Sequence, residues 1–354
     1  MREIKFVQAI IEALEEEMTR DETVFIIGLN VQADPILTPV RLVEKFGTKR
    51  LREVPIAEPG ILGCGVGAAL AGYRPIVHSR FVDFFMPAAD ELFHKAAKWR
   101  YIHGGKVTIP VTFLAGIGGY LGGGGPEHSQ CLEGYIMHTP GLKLAIPTTP
   151  YDLKGLLKTA IRDNNPTVVL YHRILVGAGT SGLVPEEEYT IPFGQADIKR
   201  EGKDVTVVAT GLMVFMTLQV ADQLQEKGLD VEVLDPRTLE PLDIETILSS
   251  VKKTHRLVIV DEDTLRCSVG AEIGMQFMEK GFDYLDAPIK RVGAANSPIP
   301  GGFMECYALP QPQDIADAIT EVLGIKESFQ VKPLELLKPG RHMGERLGYG
   351  KKEN

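Results

Sequence analysis

One carboxylate stands in an apolar setting in Val54-Pro55-Ile56-Ala57-Glu58-Pro59-Gly60-Ile61-Leu62-Gly63, and small residues follow it at Gly65, Gly67, Ala68, Ala69 and Ala71. A carboxyl with few polar neighbours holds or shares a proton more readily than a hydrated one, which suits Glu58 to acid–base work. The small residues suit a helix packed closely against another backbone or a flat ligand. Glu58 also reads as an ordinary first-turn acid, since a helix N-terminus favours negative charge. His128 follows the glycine-rich run Gly116–Gly125, in Glu127-His128-Ser129-Gln130. Histidine as a type suits proton transfer near neutral pH, although a histidine after such a run is more often a surface residue. The run itself lacks the Gly-x-Gly-x-x-Gly-to-helix context of a dinucleotide site and has no Gly-Lys-Ser/Thr ending, so it is not read as a phosphate cradle.

Alternating short apolar runs and helical patterns must position these groups. Residues 5–19 place Val7, Ile10, Ile11, Leu14 and Met18 at helical spacing, with acids on the opposite face. Apolar runs at 24–28, 74–79, 111–116, 142–147 and 167–171 read as strands, with helices near 60–71, 87–101 and 150–163 between them. Strands that are apolar throughout, separated by helices, predict a parallel sheet covered on both faces. The stretch Gly177–Pro192, rich in Gly, Pro and Glu, reads as a linker. The pattern then restarts, with strands at 205–210, 231–235, 257–261 and 289–292 and helices near 212–227, 243–253, 268–280 and 312–323. Asp261, Glu262 and Asp263 read as solvated strand ends, so this second half is expected to hold no acid–base cluster.

Open parallel sheets bind ligands at the carboxyl ends of their strands. In the first half those ends lead to Leu29-Asn30, to the turn before Glu58, to Arg80-Phe81-Val82-Asp83-Phe84-Phe85, and to the glycine run and His128. Separate elements thus deliver polar and aromatic groups to one edge, which favours a functional Glu58. Phe84 and Phe85 also fit plain core packing.

Length and composition frame this reading. The 354 residues suit about two domains, and the net charge of −9 argues against a nucleic-acid or anionic-membrane surface. No apolar run is long enough to span a membrane, and the charged start Met1-Arg2-Glu3-Ile4-Lys5 is unlike a signal peptide. Cys64, Cys131, Cys267 and Cys306 form no Cys-x-x-Cys pair and read as reduced, mostly buried thiols of a cytoplasmic protein.

Several motifs in order resemble the beta subunit of the thiamine-diphosphate-dependent 2-oxo acid dehydrogenases, the family of the pyruvate, branched-chain 2-oxo acid and acetoin enzymes. They are Val54–Gly63, Arg80–Phe85, His128-Ser129-Gln130, Pro140-Gly141-Leu142-Lys143 and Asp163-Asn164-Asn165-Pro166, then Leu234–Pro241 and Leu285–Val292, over roughly residues 1–325. The resemblance implies an α/β fold of two doubly wound domains. A transketolase-like pyrimidine-binding domain would span 1–180, a linker 181–198, a transketolase C-terminal-like domain 199–325 and an extended tail 326–354. It implies that Glu58 is the acid beside the cofactor's pyrimidine, that Ile56 and Phe84 pack near that ring, and that His128 is the active-site histidine. Ala160, Asp163 and Asn165 match a region that holds a structural potassium ion in the family; the same residues fit a helix C-terminal turn before Pro166, and both readings stand.

Thiamine-diphosphate proteins anchor Mg²⁺ and the diphosphate with Gly-Asp-Gly and a downstream Asn, and this chain contains no Gly-Asp-Gly. The resemblance therefore implies an alpha-type partner that holds Mg²⁺, a cofactor shared between chains, and an α₂β₂ assembly. In many complexes of the family a lipoyl acyltransferase core binds as well. The chain departs from the family pattern at Leu29-Asn30, where carboxylates are usual, at Arg80, usually Gln, at Ala115, often Arg, and at Tyr171-His172, where a Glu-bearing segment is common. These departures point to a different substrate carboxylate or phosphate contact, with Arg80 facing the pocket. Two alternatives stay open: a split transketolase-like or deoxyxylulose-phosphate-synthase-like carboligase subunit, and a non-catalytic subunit of the same fold.

Overall fold

The computed structural model describes residues 1–32, 40–120, 124–177 and 179–333. Within the glycine run, Leu121–Gly123 lie outside the described residues, as does the expected tail from residue 334 onward. The chain divides into two compact units. The first comprises Met1–Ile117, Tyr135–Phe193 and Thr238–Pro241, and the second Gly118–Gly134, Gly194–Arg237 and Leu242–Asn354.

The first unit opens with β1 (Arg2–Lys5), α1 (Phe6–Arg20), β2 (Val24–Gly28), α2 (Val40–Phe46), β3 (Leu51–Glu53), α3 (Glu58–Leu70) and β4 (Arg74–Ser79). A 3-10 turn at Val82–Phe85 and a π-helical segment at Asp90–Ala96 then run into α4 (Ala97–Ile102). This replaces the single helix expected over 87–101. β5 (Thr112–Ile117), α5 (Glu133–Met137, whose first two residues belong to the second unit), β6 (Lys143–Ala145), α6 (Pro150–Arg162), β7 (Thr167–His172), α7 (Arg173–Gly177) and β8 (Ser181–Val184) follow. Strands β3, β2, β4, β5, β7 and β6 are parallel neighbours in that order, so their carboxyl ends share one edge.

Close packing explains the composition of α3. A Cβ at Gly65 would overlap Val77 Cγ2 of β4, so only glycine lets the helix lie this near the sheet. The acids of α1 do not simply face water, as the periodicity suggested. Glu12 and Glu16 both bond Lys154 of α6, at 3.0 and 2.6 Å, and Glu17 is buried against Arg162.

The stretch expected as a linker over 181–198 is structured. β8 pairs antiparallel with β1, Tyr189 stacks on Tyr151 with centroids 4.7 Å apart, and Ile191 is buried with Ala145 and Leu156.

The second unit contains β9 (Asp197–Arg200), β10 (Val205–Ala209), α8 (Leu212–Gln225) and β11 (Val231–Asp235). The chain then returns to the first unit as β12 (Thr238–Glu240), an antiparallel edge partner of β6. α9 (Ile244–Thr254), β13 (Leu257–Thr264), α10 (Val269–Gly281), β14 (Lys290–Ala294), α11 (Glu305–Ala308) and α12 (Pro312–Val322) complete the second unit. Its sheet runs β14-β13-β10-β11-β9, parallel except for the β9 edge. Among the described residues no helix is long and apolar enough to cross a membrane. The thiols are less buried than their type suggests: Cys131 is buried, whereas Cys64, Cys267 and Cys306 are exposed, and all are free.

Candidate functional site at the carboxyl edge of the first sheet

Glu58 opens α3 just beyond β3, with Pro59 at the second helical position to fix the start. Its side chain is half-buried, while Pro55, Ile56 and Ala57 are exposed and Ile56 keeps 71% of its surface open. The expectation of a poorly solvated carboxyl is therefore corrected for this chain alone. The apolar residues around Glu58 lie at the surface and do not themselves shield it.

β4 delivers the next group. Arg80 and Phe84 are half-buried, whereas Phe85 is a core residue set edge-on to Phe113 with centroids 6.2 Å apart. Phe84 meets Phe81 edge to face at 5.6 Å, and the Arg173 guanidinium lies 4.8 Å above the Phe81 ring. Core packing thus accounts for Phe85 and not for Phe84. The bare backbone at Gly116 makes room for this stack, because a Cβ there would lie 2.9 Å from Arg173 Cγ.

Neighbouring strands bring histidines to the same edge. His78 Nε2 lies 3.4 Å from the Tyr171 hydroxyl, and both residues are buried. His172 Nδ1 accepts the Ile174 backbone N–H at 3.2 Å, so a neutral His172 carries its proton on Nε2.

His128 belongs to the 118–134 segment of the second unit. Its backbone N–H bonds Gly125 O at 3.2 Å, its side chain is half-buried, and the Gln130 carbonyl accepts from Gly118 N at 3.3 Å. Glu58, Ile56, Arg80 and Phe84 are thus gathered on one sheet edge of the first unit, while His128 is carried by the second.

The proposed potassium residues form a turn bonded to protein cations. Asp163 caps α6, pairs with Lys143 and accepts the Asn165 N–H and side-chain amide, both at 2.8 Å. Arg100 bonds Asn165 Oδ1 at 2.7 Å, and Arg74 bonds the Ile161 and Asp163 carbonyls at 3.1 and 2.9 Å. Lys143 and the Asn165 amides hold the Asp163 carboxyl below its usual range despite its burial. The side-chain oxygens of Asp163 and Asn165 are engaged within the protein.

Residues 2–178 match the family described as "Transketolase, pyrimidine binding domain", and residues 194–315 match "Transketolase, C-terminal domain". The chain is 41% identical over 338 residues to the acetoin:2,6-dichlorophenolindophenol oxidoreductase subunit beta of Bacillus subtilis, covering 91% of this chain and 98% of that one. It is 43% identical over 318 residues to the pyruvate dehydrogenase E1 component subunit beta of Rickettsia conorii, covering 89% and 97%. The chain belongs to this family of dehydrogenase beta subunits. Its fold also matches a solved structure, "Split gene transketolase, inactive beta4 tetramer", with a TM-score of 0.73 at 20% identity over 92% of this chain and all of that one.

This beta-family chain also contains a cluster that the sequence reading missed. Asp261 and Glu262 are not solvated strand ends; they are 4% and 6% exposed, and Glu133 is 5% exposed. Glu262 Oε1 accepts the Gly119 N–H at 2.6 Å, and Asp261 Oδ2 accepts Ser268 Oγ and Gly270 N, each at 2.9 Å. Burial pushes Asp261 up to about 7 and Asp263 up to about 6. Burial, then repulsion from Asp263, raises Glu133 well above the carboxylate range. The signal was weak because a strand end rich in Asp and Glu is normally exposed.

Proposed function

We propose that this chain is the beta half of a heteromeric thiamine-diphosphate-dependent enzyme that cleaves a 2-oxo acid or acetoin and passes the acyl group to an acceptor, such as a lipoyl group. One observation carries the reading: Glu58, half-buried at the start of α3, sits beside an exposed apolar run led by Ile56, at the carboxyl edge of a parallel sheet. An exposed apolar patch next to an acid is a surface made to be covered. A flat ring and a second polypeptide would cover it, desolvating the carboxyl that this chain alone leaves half open.

The cofactor, when bound, supplies a stabilised carbanion. Glu58 would hold a proton at the pyrimidine N1′, and Ile56 and Phe84 would bear on that ring and exclude water. His128 would hold or move a proton at the substrate oxygen, and Arg80 would face the substrate's carboxylate. Among the described residues no group of three or more His, Cys, Asp and Glu is placed to hold a metal ion. With Gly-Asp-Gly missing from the sequence, Mg²⁺ and the diphosphate fall to an alpha-type partner in an α₂β₂ assembly. Free thiols throughout fit a reducing compartment, the cytoplasm.

Co-expression with an alpha-type chain that carries Gly-Asp-Gly and a downstream Asn, followed by a panel of 2-oxo acids and acetoin with a dye acceptor, tests this. Turnover is expected only from the complex, and Glu58→Gln is expected to abolish it while the assembly keeps its mass. Wild-type turnover by Glu58→Gln, or binding of the whole coenzyme by this chain unaided, overturns the reading.

A further inference from the structure

Phe84, set against the cofactor's pyrimidine in the reading above, is half-buried, whereas its neighbour Phe85 is a core residue. Its position depends on Phe81. Phe81 is the N-cap of the 3-10 turn Val82–Phe85, and its carbonyl accepts the Phe84 backbone N–H at 3.2 Å. The Ser79 hydroxyl donates to the same carbonyl at 3.0 Å. The two rings then meet edge to face, with centroids 5.6 Å apart and planes at 86°. A shift of Phe81 therefore carries Phe84 with it, through backbone and ring together.

Phe81 has a support of its own. The Arg173 guanidinium lies 4.8 Å from its ring centre, a contact favourable both in charge and in apolar area. Two features of the fold place that guanidinium. Gly116 of β5 stands in register with Tyr171 of β7. A Cβ on Gly116 would lie 2.9 Å from Arg173 Cγ, 3.2 Å from Arg173 Cδ and 2.8 Å from Arg80 O, so the Arg173 stem fills a gap that a larger residue would close. His172 Nδ1 accepts the Ile174 N–H at 3.2 Å and fixes the turn from β7 into α7 that carries Arg173.

We propose that Arg173 is a positioning residue for the coenzyme. It holds Phe81, and through Phe81 it holds the Phe84 ring at the angle at which Phe84 bears on the pyrimidine. Arg173 acts through Phe81 and not by contact with the coenzyme. This rests on the reading of Phe84 given above.

The test is a double-mutant cycle on the assembled complex, read by calorimetric titration with thiamine diphosphate and Mg²⁺. Arg173→Met keeps the length of the side chain and removes its charge. It should raise the Kd about fivefold, the scale of one cation–aromatic contact. Phe84→Leu should raise it about tenfold, the scale of a lost ring contact. The double variant should bind no more weakly than Phe84→Leu alone. In a Phe81→Leu background Arg173→Met should have no further effect, and in the wild-type background Arg173→Lys, which keeps a cation, should recover part of the affinity. Without coenzyme, hydrogen exchange of the Phe84 amide should quicken in Arg173→Met as its bond to Phe81 loosens. Fold-changes that multiply in the Arg173–Phe84 double variant overturn the proposal. So does an effect of Arg173→Met that persists in Phe81→Leu, or an unaltered exchange rate. Should Arg173→Met fail to assemble, Arg173→Lys takes its place in the cycle and is judged by the same multiplication. The reading of Phe84 is judged separately, by Phe84→Leu alone: an unaltered Kd removes the ring contact and takes the proposal with it.

Discussion

Lys158, 1% exposed, places its Nζ 2.6 Å from Glu16 Oε2 across the α1–α6 contact. Lys154, 2% exposed, reaches both Glu12 and Glu16, so the two helices are joined by a ladder of charges whose lysines are buried while Glu16 keeps 40% of its side chain open to water. Removing Lys154 leaves Glu12 paired with Arg2 and Glu16 paired with Lys158, so the cost is that of the lost bonds and not of a stranded charge. Lys154→Ala should destabilise the protein by ~1.5–3 kcal/mol, the size of lost hydrogen bonds between charged groups, read as a fall in the denaturant midpoint at unchanged slope. A loss below 1 kcal/mol would mean that water enters the seam freely.

Acid should undo the same seam. Hydrogen bonds from Arg2 and Lys154 outweigh burial and hold Glu12 down at about 2, against an ordinary 4.5. The folded value is depressed, so the stabilisation is present above pH 4.5 and fades as pH falls from there towards 2. Its size is ~3 kcal/mol. Thermal melts between pH 6 and pH 3 should show a steeper decline in wild type than in Glu12→Gln, and parallel declines would contradict this assignment.

Ile56 offers a separate test of the covered-surface reading. It is 71% exposed, so Ile56→Ser should leave the melting of the isolated chain unchanged within about 0.5 kcal/mol. In the complex the same change should weaken thiamine diphosphate binding about tenfold, the size expected from losing a buried aliphatic contact. Unchanged affinity by calorimetry would detach Ile56 from the ring.

Arg80 bears on selectivity. A guanidinium–carboxylate contact is worth about 1.5–3 kcal/mol, so Arg80→Gln should lower kcat/KM for 2-oxo acids by about tenfold or more relative to acetoin, which has no carboxylate. An unaltered ratio would remove Arg80 from substrate recognition.

Much of the site was legible because its signals are local. Glu58 opens a helix made of small residues, and the strand ends that lead to Leu29-Asn30, Arg80 and His128 announce themselves by their apolar runs. What escaped were pairings between distant segments. Nothing in Ser181–Val184 states that it pairs with Arg2–Lys5, or that Thr238–Glu240 returns to the first sheet beside β6. A strand partner at large sequence separation leaves no periodic trace in either segment.

The sequence by itself determined the alternating α/β pattern, the order of the family motifs and the residue types at the carboxyl edge. Helix and strand periods are written in neighbouring residues, and a motif is a matter of spacing. Only the tertiary structure decided solvation. It left Ile56 in the open, put Phe85 rather than Phe84 in the core, and closed Asp261, Glu262 and Glu133 away from water. Solvation depends on what packs over a side chain from elsewhere in the chain. Acids of one type therefore end with opposite tendencies, Glu12 pulled below the usual carboxylate range by nearby cations and Glu133 pushed above it by burial among other carboxyls.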